Sequence, residues 1–219
     1  MKWLDIFCLL AVLIYTVFIL KNIFTLFPRK KTSGNQENYI PTTSVTVIIT
    51  ARNEEANIAT CLQSIARQEF PKELLEVIVG NDHSEDRTTE VAETFLKENF
   101  SNWKLINLQA NEAGKKTAIK KAVEQSSGAI IVTRDADTVS ENKNWLKEIA
   151  LTFETKNCEL IIMPVLLSGG NSFASSFQKF ENLAIAFLGL SMAKNHLPIT
   201  CSGANLAYWR ETFLELDPY

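Results

Sequence analysis

The sequence predicts an α/β domain built on a mostly parallel sheet with helices on both faces, preceded by one N-terminal helix long enough to cross a membrane. Three observations predict it. Short β-branched runs alternate with segments of helical periodicity, an apolar stretch opens the chain, and polar clusters recur directly behind the strand-like runs.

The apolar stretch comes first. No charge interrupts Ile6 to Leu20, and the apolar character resumes after Lys21 as far as Phe27. A hydrocarbon core about 30 Å thick needs roughly 20 helical residues, so Trp3 to Phe27 suffices, with Asp5 and Lys21 near the interfaces. Arg29, Lys30 and Lys31 follow and place that flank on the cytoplasmic side. A cleaved signal peptide is the competing reading, but no small-x-small site follows and the basic cluster disfavours export. The chain therefore divides into an anchor (residues 1–28), a basic flank and linker (29–43) and a globular domain (44–219), with that domain expected in the cytoplasm.

The alternation then runs in order. Val45 to Thr50 reads as a buried strand, and Asn53 is placed to cap the next helix, with Glu54 and Glu55 in its first turn and Ile58, Leu62 and Ile65 on its apolar side. Leu75 to Gly80 is a second strand, followed by a polar loop, Asn81 to Thr88, and a helix through Val91, Phe95 and Leu96. Lys104 to Leu108 forms a third strand. Ala118, Ile119, Ala122 and Val123 make the apolar face of a lysine-rich helix that stops near Gly128. Ala129 to Thr133 is the fourth strand. A helix through Trp145, Leu146, Ile149 and Phe153 leads to a fifth, Leu160 to Val165. Phe173 to Leu190 has helical spacing and fits a buried helix; Gln178, Lys179 and Glu181 argue against a membrane span.

Composition excludes more than it assigns. A net charge of -3 over 219 residues, with no basic stripe, argues against a nucleic-acid partner. Cys8, Cys61, Cys158 and Cys201 are too scattered for a disulfide framework or a zinc site. His83 and His196 are the only histidines, and no nucleophile elbow accompanies them.

In open parallel sheets ligands bind beyond the carboxyl ends of strands, which is where the polar clusters fall. Asp135 and Asp137 flank Ala136 after the fourth strand. Two such carboxylates suit a hard divalent cation bridging a diphosphate, or form a solvated turn in which Asp137 caps the next helix. Asp82, after the second strand, can accept from a nucleobase or a ribose, whereas Asp86 suits the cap of the helix through Val91. Gly114-Lys115-Lys116-Thr117 opens a helix, where glycine and the helix dipole favour a phosphate and Lys115 or Lys116 adds charge, or Lys116, Lys120 and Lys121 form a solvated face. Asp135-Ala136-Asp137-Thr138-Val139 also fits the nucleophile motif of haloacid-dehalogenase-like phosphatases, a reading that leaves the Arg52 and Asp82 loops unused.

Taken in order, Val47 to Glu55, Asn81 to Asp86, Gly114-Lys115-Lys116 and Asp135-Ala136-Asp137 resemble the family 2 inverting glycosyltransferases of GT-A, Rossmann-like fold. Cys201 to Arg210 resembles that family's acceptor-side segment, and for Phe173 to Leu190 the resemblance implies an amphipathic helix near the membrane interface rather than a buried one. The resemblance implies that Thr50, Ala51, Arg52 and Glu54 lie around the nucleotide base, that Asp82 recognises uridine and that Lys115 stands near the nucleotide. Asp135 would contact sugar or ribose, Asp137 would ligate Mg2+ or Mn2+ with Asp135 beside it, and Gly203 and Asn205 would shape the acceptor side. It implies a UDP-sugar donor, a saccharide or lipid-linked acceptor at a membrane, and transfer with inversion. Asn81 and Thr50 depart from the family's commoner aspartate and proline. The family's catalytic base is expected beyond Tyr219, so the chain is read as truncated at its C-terminus; without that base a non-catalytic nucleotide-sugar-binding module is the alternative.

Overall fold

The computed structural model describes residues 3–26 and 39–218. The basic cluster Arg29 to Lys31 and the first part of the expected linker lie outside these residues. The described chain divides into two compact units, one containing residues 3–26 and 163–201, the other residues 39–162 and 202–218.

In the larger unit, β1 (Val45–Ala51), β2 (Leu75–Asn81), β3 (Trp103–Asn107) and β4 (Ile130–Asp135) are parallel, and the sheet runs β3-β2-β1-β4 before two further strands. Helices α2 (Ile58–Ala66), α3 (Thr88–Asn99), α4 (Lys115–Gln125) and α5 (Trp145–Thr155) alternate with them. Parallel crossovers are right-handed. The steps from β1 to β2 and from β2 to β3 move one way along the sheet and carry α2 and α3 on one face. The step from β3 to β4 reverses and carries α4 on the other.

Burial agrees. On one face Ile48, Ile78, Ile106 and Ile131 pack with Ile119, Ala122 and Val123 of α4. The alternating residues Val47, Ile49, Val77, Val79 and Val132 are just as inaccessible on the opposite face. Gly80 permits close approach of α4, since a Cβ there would lie 3.3 Å from that of Ala118.

Two differences from the sequence expectation concern the far side of the sheet. Asn205–Trp209 forms a strand, β6, antiparallel to β4, which the sequence did not announce. The fifth strand, β5, is confined to Leu160–Ile162 and pairs antiparallel with β6, so the parallel array ends at β4. Helix α7 (Arg210–Leu216) follows, and Phe213 stacks on Tyr208 with ring centroids 5.2 Å apart. At the other end of the expected linker, Glu154 of α5 accepts from Tyr39 Oη (2.6 Å), Thr42 N (3.0 Å) and Thr43 N (2.9 Å), fastening residues 39–43 to the domain.

The smaller unit holds α1 (Trp3–Leu26) and α6 (Phe173–Lys194). By length and composition α1 can cross a membrane. Ser191 Oγ of α6 donates to Asn22 Oδ1 at 2.6 Å, both residues being buried, and Asn195 Nδ2 donates to Thr25 Oγ1 at 3.2 Å. The buried-helix expectation for α6 fails, because Phe173, Phe177, Phe180 and Leu183 are all exposed.

Candidate donor-binding site

The reversal of strand order falls between β1 and β4, the crevice where doubly wound sheets bind ligands. A recess of about 230 Å³ opens there, lined by Thr50, Ala51, Arg52, Glu54, Asp82, Lys115, Asp135, Ala136 and Asp137. The eight donor-side positions named from the sequence are all present, with Ala136 added. Register explains the convergence: Thr50 pairs with Gly80 on one side and with Asp135 on the other, so three strand ends stop at one level.

The loops behind β1 and β2 are fastened to each other. Asn53 N donates to Ser84 Oγ (3.0 Å), Glu54 N to Thr88 Oγ1 (2.7 Å) and Glu55 N to Asp86 Oδ2 (3.1 Å). In return Glu85 N donates to Asn53 Oδ1 (2.8 Å) and Arg87 N to Glu55 Oε2 (2.9 Å). Asn53 is thus not a helix cap. It sits at φ 55 with its side chain committed to this lock, and α2 starts later, after Asn57. Asp86 is structural but stands one residue before the cap position of α3, which Arg87 takes, and it also accepts from Thr88 N at 3.0 Å. Hydrogen bonds from Thr88 lead the causes that hold its carboxyl below the ordinary range.

Asp82 is nearly buried at the edge of the recess. Its Oδ2 accepts from Gly114 N at 3.0 Å and lies 3.9 Å from Arg52 Nη1, while Oδ1 lies 3.0 Å from His83 Nδ1. The sequence left Asp82 without a structural duty, but it also tethers the start of α4. Gly114 there adopts φ 94, which glycine alone accepts freely. Asn81 contributes to the turn rather than to the recess: its amide donates to Asn107 Oδ1 and its carbonyl oxygen accepts from Ser84 N.

Lys115 pairs with Asp135 across the recess, a contact not anticipated from the sequence. Asp137 is exposed and makes no hydrogen bond or ion pair with another described residue. Nor does it cap a helix, because α5 begins at Trp145 with Asn144 at its cap position. Behind this turn Arg134 is buried, and desolvation lowers its proton affinity. Burial likewise pushes the Cys61 thiol up to about 11.

Of the two acceptor-side positions, Gly203 accepts from Thr133 Oγ1 at 2.8 Å, and a Cβ on it would stand 3.8 Å from Lys115 Nζ. Asn205 opens β6 opposite Arg134. Neither lines the recess. Arg210 closes the same motif but points elsewhere: its Nε donates to Val123 O (3.2 Å) and Ser126 Oγ (3.0 Å), capping the C-terminus of α4.

The sequence profile of the family described as Glycosyl transferase family 2 matches residues 46–216, most of the chain. The chain belongs to that family. This membership decides against the phosphatase reading of the Asp135–Val139 stretch. Among curated relatives, Glycosyltransferase AglE of Haloferax volcanii is 31% identical over 141 residues, 64% of this chain and 45% of that protein. Probable glycosyltransferase YdaM of Bacillus subtilis is 34% identical over 108 residues, 48% of this chain and 26% of that protein. The chain thus matches less than half the length of either relative. Among solved structures, TarS of Staphylococcus aureus superposes with TM-score 0.61 at 25% identity, covering 80% of this chain and 50% of that one. The mannosyltransferase PcManGT from Pyrobaculum calidifontis, solved with GDP-Man and Mn2+, superposes with TM-score 0.69 at 21% identity, over 92% of this chain and 53% of that one. The GT-A fold is therefore shared.

Proposed function

We propose that this chain carries the donor-binding site of a membrane-associated glycosyltransferase that takes its sugar from a UDP-sugar. One observation carries the reading: eight residues scattered between Thr50 and Asp137 line a single recess at the switch point of the sheet. In this reading Thr50, Ala51, Arg52 and Glu54 border the base, Asp82 accepts from uracil or ribose, and Lys115 leaves Asp135 to meet the diphosphate. Gly203 and Asn205 lie toward the acceptor. A saccharide or lipid-linked hydroxyl attacks the anomeric carbon with inversion, UDP departs, and the product belongs to polysaccharide or glycolipid synthesis. A structure of TarS solved with UDP-GlcNAc supports this choice of donor, whereas PcManGT was solved with GDP-Man.

The residues fit a divalent cation. Among the described residues no three His, Cys, Asp or Glu side chains converge, so protein atoms alone make no closed cage. Asp137 offers an uncommitted carboxylate and Asp135 a second beside it, an oxygen set that suits Mg2+ or Mn2+ holding water and phosphate as its other ligands. Bound there, the ion supplies neutralisation of charge on the departing diphosphate. The apolar length of α1 and the exposed phenylalanines of α6 support a membrane location, and the basic cluster Arg29 to Lys31 supports a cytoplasmic side for the globular domain.

The test is calorimetric titration of the chain with UDP, with and without Mn2+. Wild type should bind UDP more tightly with the metal, Asp137→Asn should lose that gain, and Asp82→Asn should weaken both. Equal binding by all three proteins would sink the assignment.

A further inference from the structure

We propose that Arg134 and Thr138 form a brace that positions the carboxylates of the Asp135–Asp137 turn for the cation and diphosphate; it rests on the donor-site reading above. Arg134 is only 4% exposed, and its guanidinium carbon lies 4.6 Å from the ring centroid of Trp145. No described carboxylate lies within ion-pair distance of it. Burying a cation without a carboxylate partner is costly, and a stack on one aromatic ring offsets part of that. A second contact completes its role.

Arg134 Nε donates to Thr138 Oγ1 at 3.2 Å. The Thr138 hydroxyl donates onward to Asp135 O at 2.7 Å, its N–H donates to the same carbonyl at 3.1 Å, and Cys61 Sγ approaches that oxygen at 3.6 Å. From Arg134 the chain passes through Asp135, the last residue of β4, then Ala136 and Asp137, and is closed by the side chain of Arg134 reaching four residues ahead. Both acidic residues lie inside this ring. Ala136, midway, is 2% exposed and pins the turn from below. The ring fixes where the two carboxylates start from, so the cation meets a preformed pair rather than a mobile loop. Arg134 and Thr138 are positioning residues; neither is required to touch the ligand.

Two substitutions break the ring without changing its charge. Arg134→Lys keeps the cation but removes the planar Nε donor, and Thr138→Val keeps the volume but removes the hydroxyl. In the whole chain, Mn2+ affinity at saturating UDP is read by electron paramagnetic resonance, UDP affinity in EDTA by calorimetry, and folding by the thermal midpoint. Each variant should weaken Mn2+ binding about tenfold or more, leaving metal-free UDP affinity unchanged. The double variant should be no weaker than the worse single one, because the two links act in series. Thr138→Ser, which restores the hydroxyl, should return affinity to near wild type. Folded variants with wild-type Mn2+ affinity, additive losses, or an equal loss of UDP affinity in EDTA would overturn the brace. A wild-type chain with no Mn2+-dependent UDP binding overturns the donor-site reading itself, and is told apart because it appears before any substitution is made.

Discussion

Glu76 and Asp137 are carboxylates at opposite ends of the same sheet, and they are served in opposite ways. Glu76, near the amino end of β2, is 2% exposed and accepts from Thr46 Oγ1 (2.6 Å), Ser127 N (2.7 Å) and Lys104 Nζ (3.0 Å). Thr46 in turn accepts from Gly128 N at 2.9 Å, at a place where a Cβ on Gly128 would come within 2.5 Å of backbone. Burial alone would raise the Glu76 carboxyl, but these donors outweigh it and hold it below the ordinary range. Asp137, beyond β4, is exposed and unengaged by the other described residues, beside an Asp135 whose carboxylate pairs with Lys115. Charge at the amino end is spent on holding the sheet together. Charge at the carboxyl end is left available, as a ligand site requires.

Breaking the saturated end should have the largest effect. Glu76→Ala strands Lys104, Thr46 and the Ser127 amide at once, and removal of one partner of a buried charged cluster costs about 3–5 kcal/mol. Urea unfolding should show that loss, while the folded fraction keeps wild-type affinity for UDP. A variant that unfolds normally but binds poorly would erase the distinction between the two ends.

The open end should respond in reverse. Asp137→Asn should reduce Mn2+-dependent UDP affinity by about 100-fold, about 2.7 kcal/mol, with stability within about 0.5 kcal/mol of wild type, as for surface changes free of partners. Titration and unfolding of the same preparation measure both. Asp82 stands between the extremes because it faces the recess and also receives Gly114 N. Asp82→Asn should therefore cost about tenfold in UDP affinity, about 1.4 kcal/mol, and about 1 kcal/mol of stability.

The sequence revealed the two ends unequally. Strands β1, β2 and β4 were legible because each is an apolar, largely β-branched run buried on both faces. Strand β3 is an edge strand in which only Ile106 is buried, and the recess was legible because strand-end polar residues of a parallel sheet must converge. Strand β6 was not. Asn205–Trp209 owes its pairing to a partner about seventy residues away, and no local pattern encodes an antiparallel return. Asn53 misled for a related reason: a good capping side chain was claimed instead by the loop containing Glu85. The Lys115–Asp135 pair and the Arg134–Thr138 link depend on side-chain reach across elements, which spacing alone does not specify. Glu76 carried no signal at all, since an isolated acid within an apolar strand names no partner.

The last and smallest effect tests whether a saturated carboxylate must be buried to stabilise. Glu154 is exposed yet collects donors from Tyr39, Thr42 and Thr43 as Glu76 does from its own partners. Desolvation alone would raise its carboxyl, but those hydrogen bonds bring it down to about 2. A carboxyl depressed in the folded state contributes stability that is complete above the ordinary glutamate range, and this is lost as pH falls through the folded value. Glu154→Gln should therefore be less stable than wild type at pH 6, with the gap closing below about pH 4.5 and vanishing near pH 2. Subtracting the two unfolding curves cancels the other acids. Solvent screening keeps the gap well below that of Glu76→Ala. A gap independent of pH would mean that Tyr39 and its neighbours are held by packing, and that only burial turns a donor-rich carboxylate into a structural one.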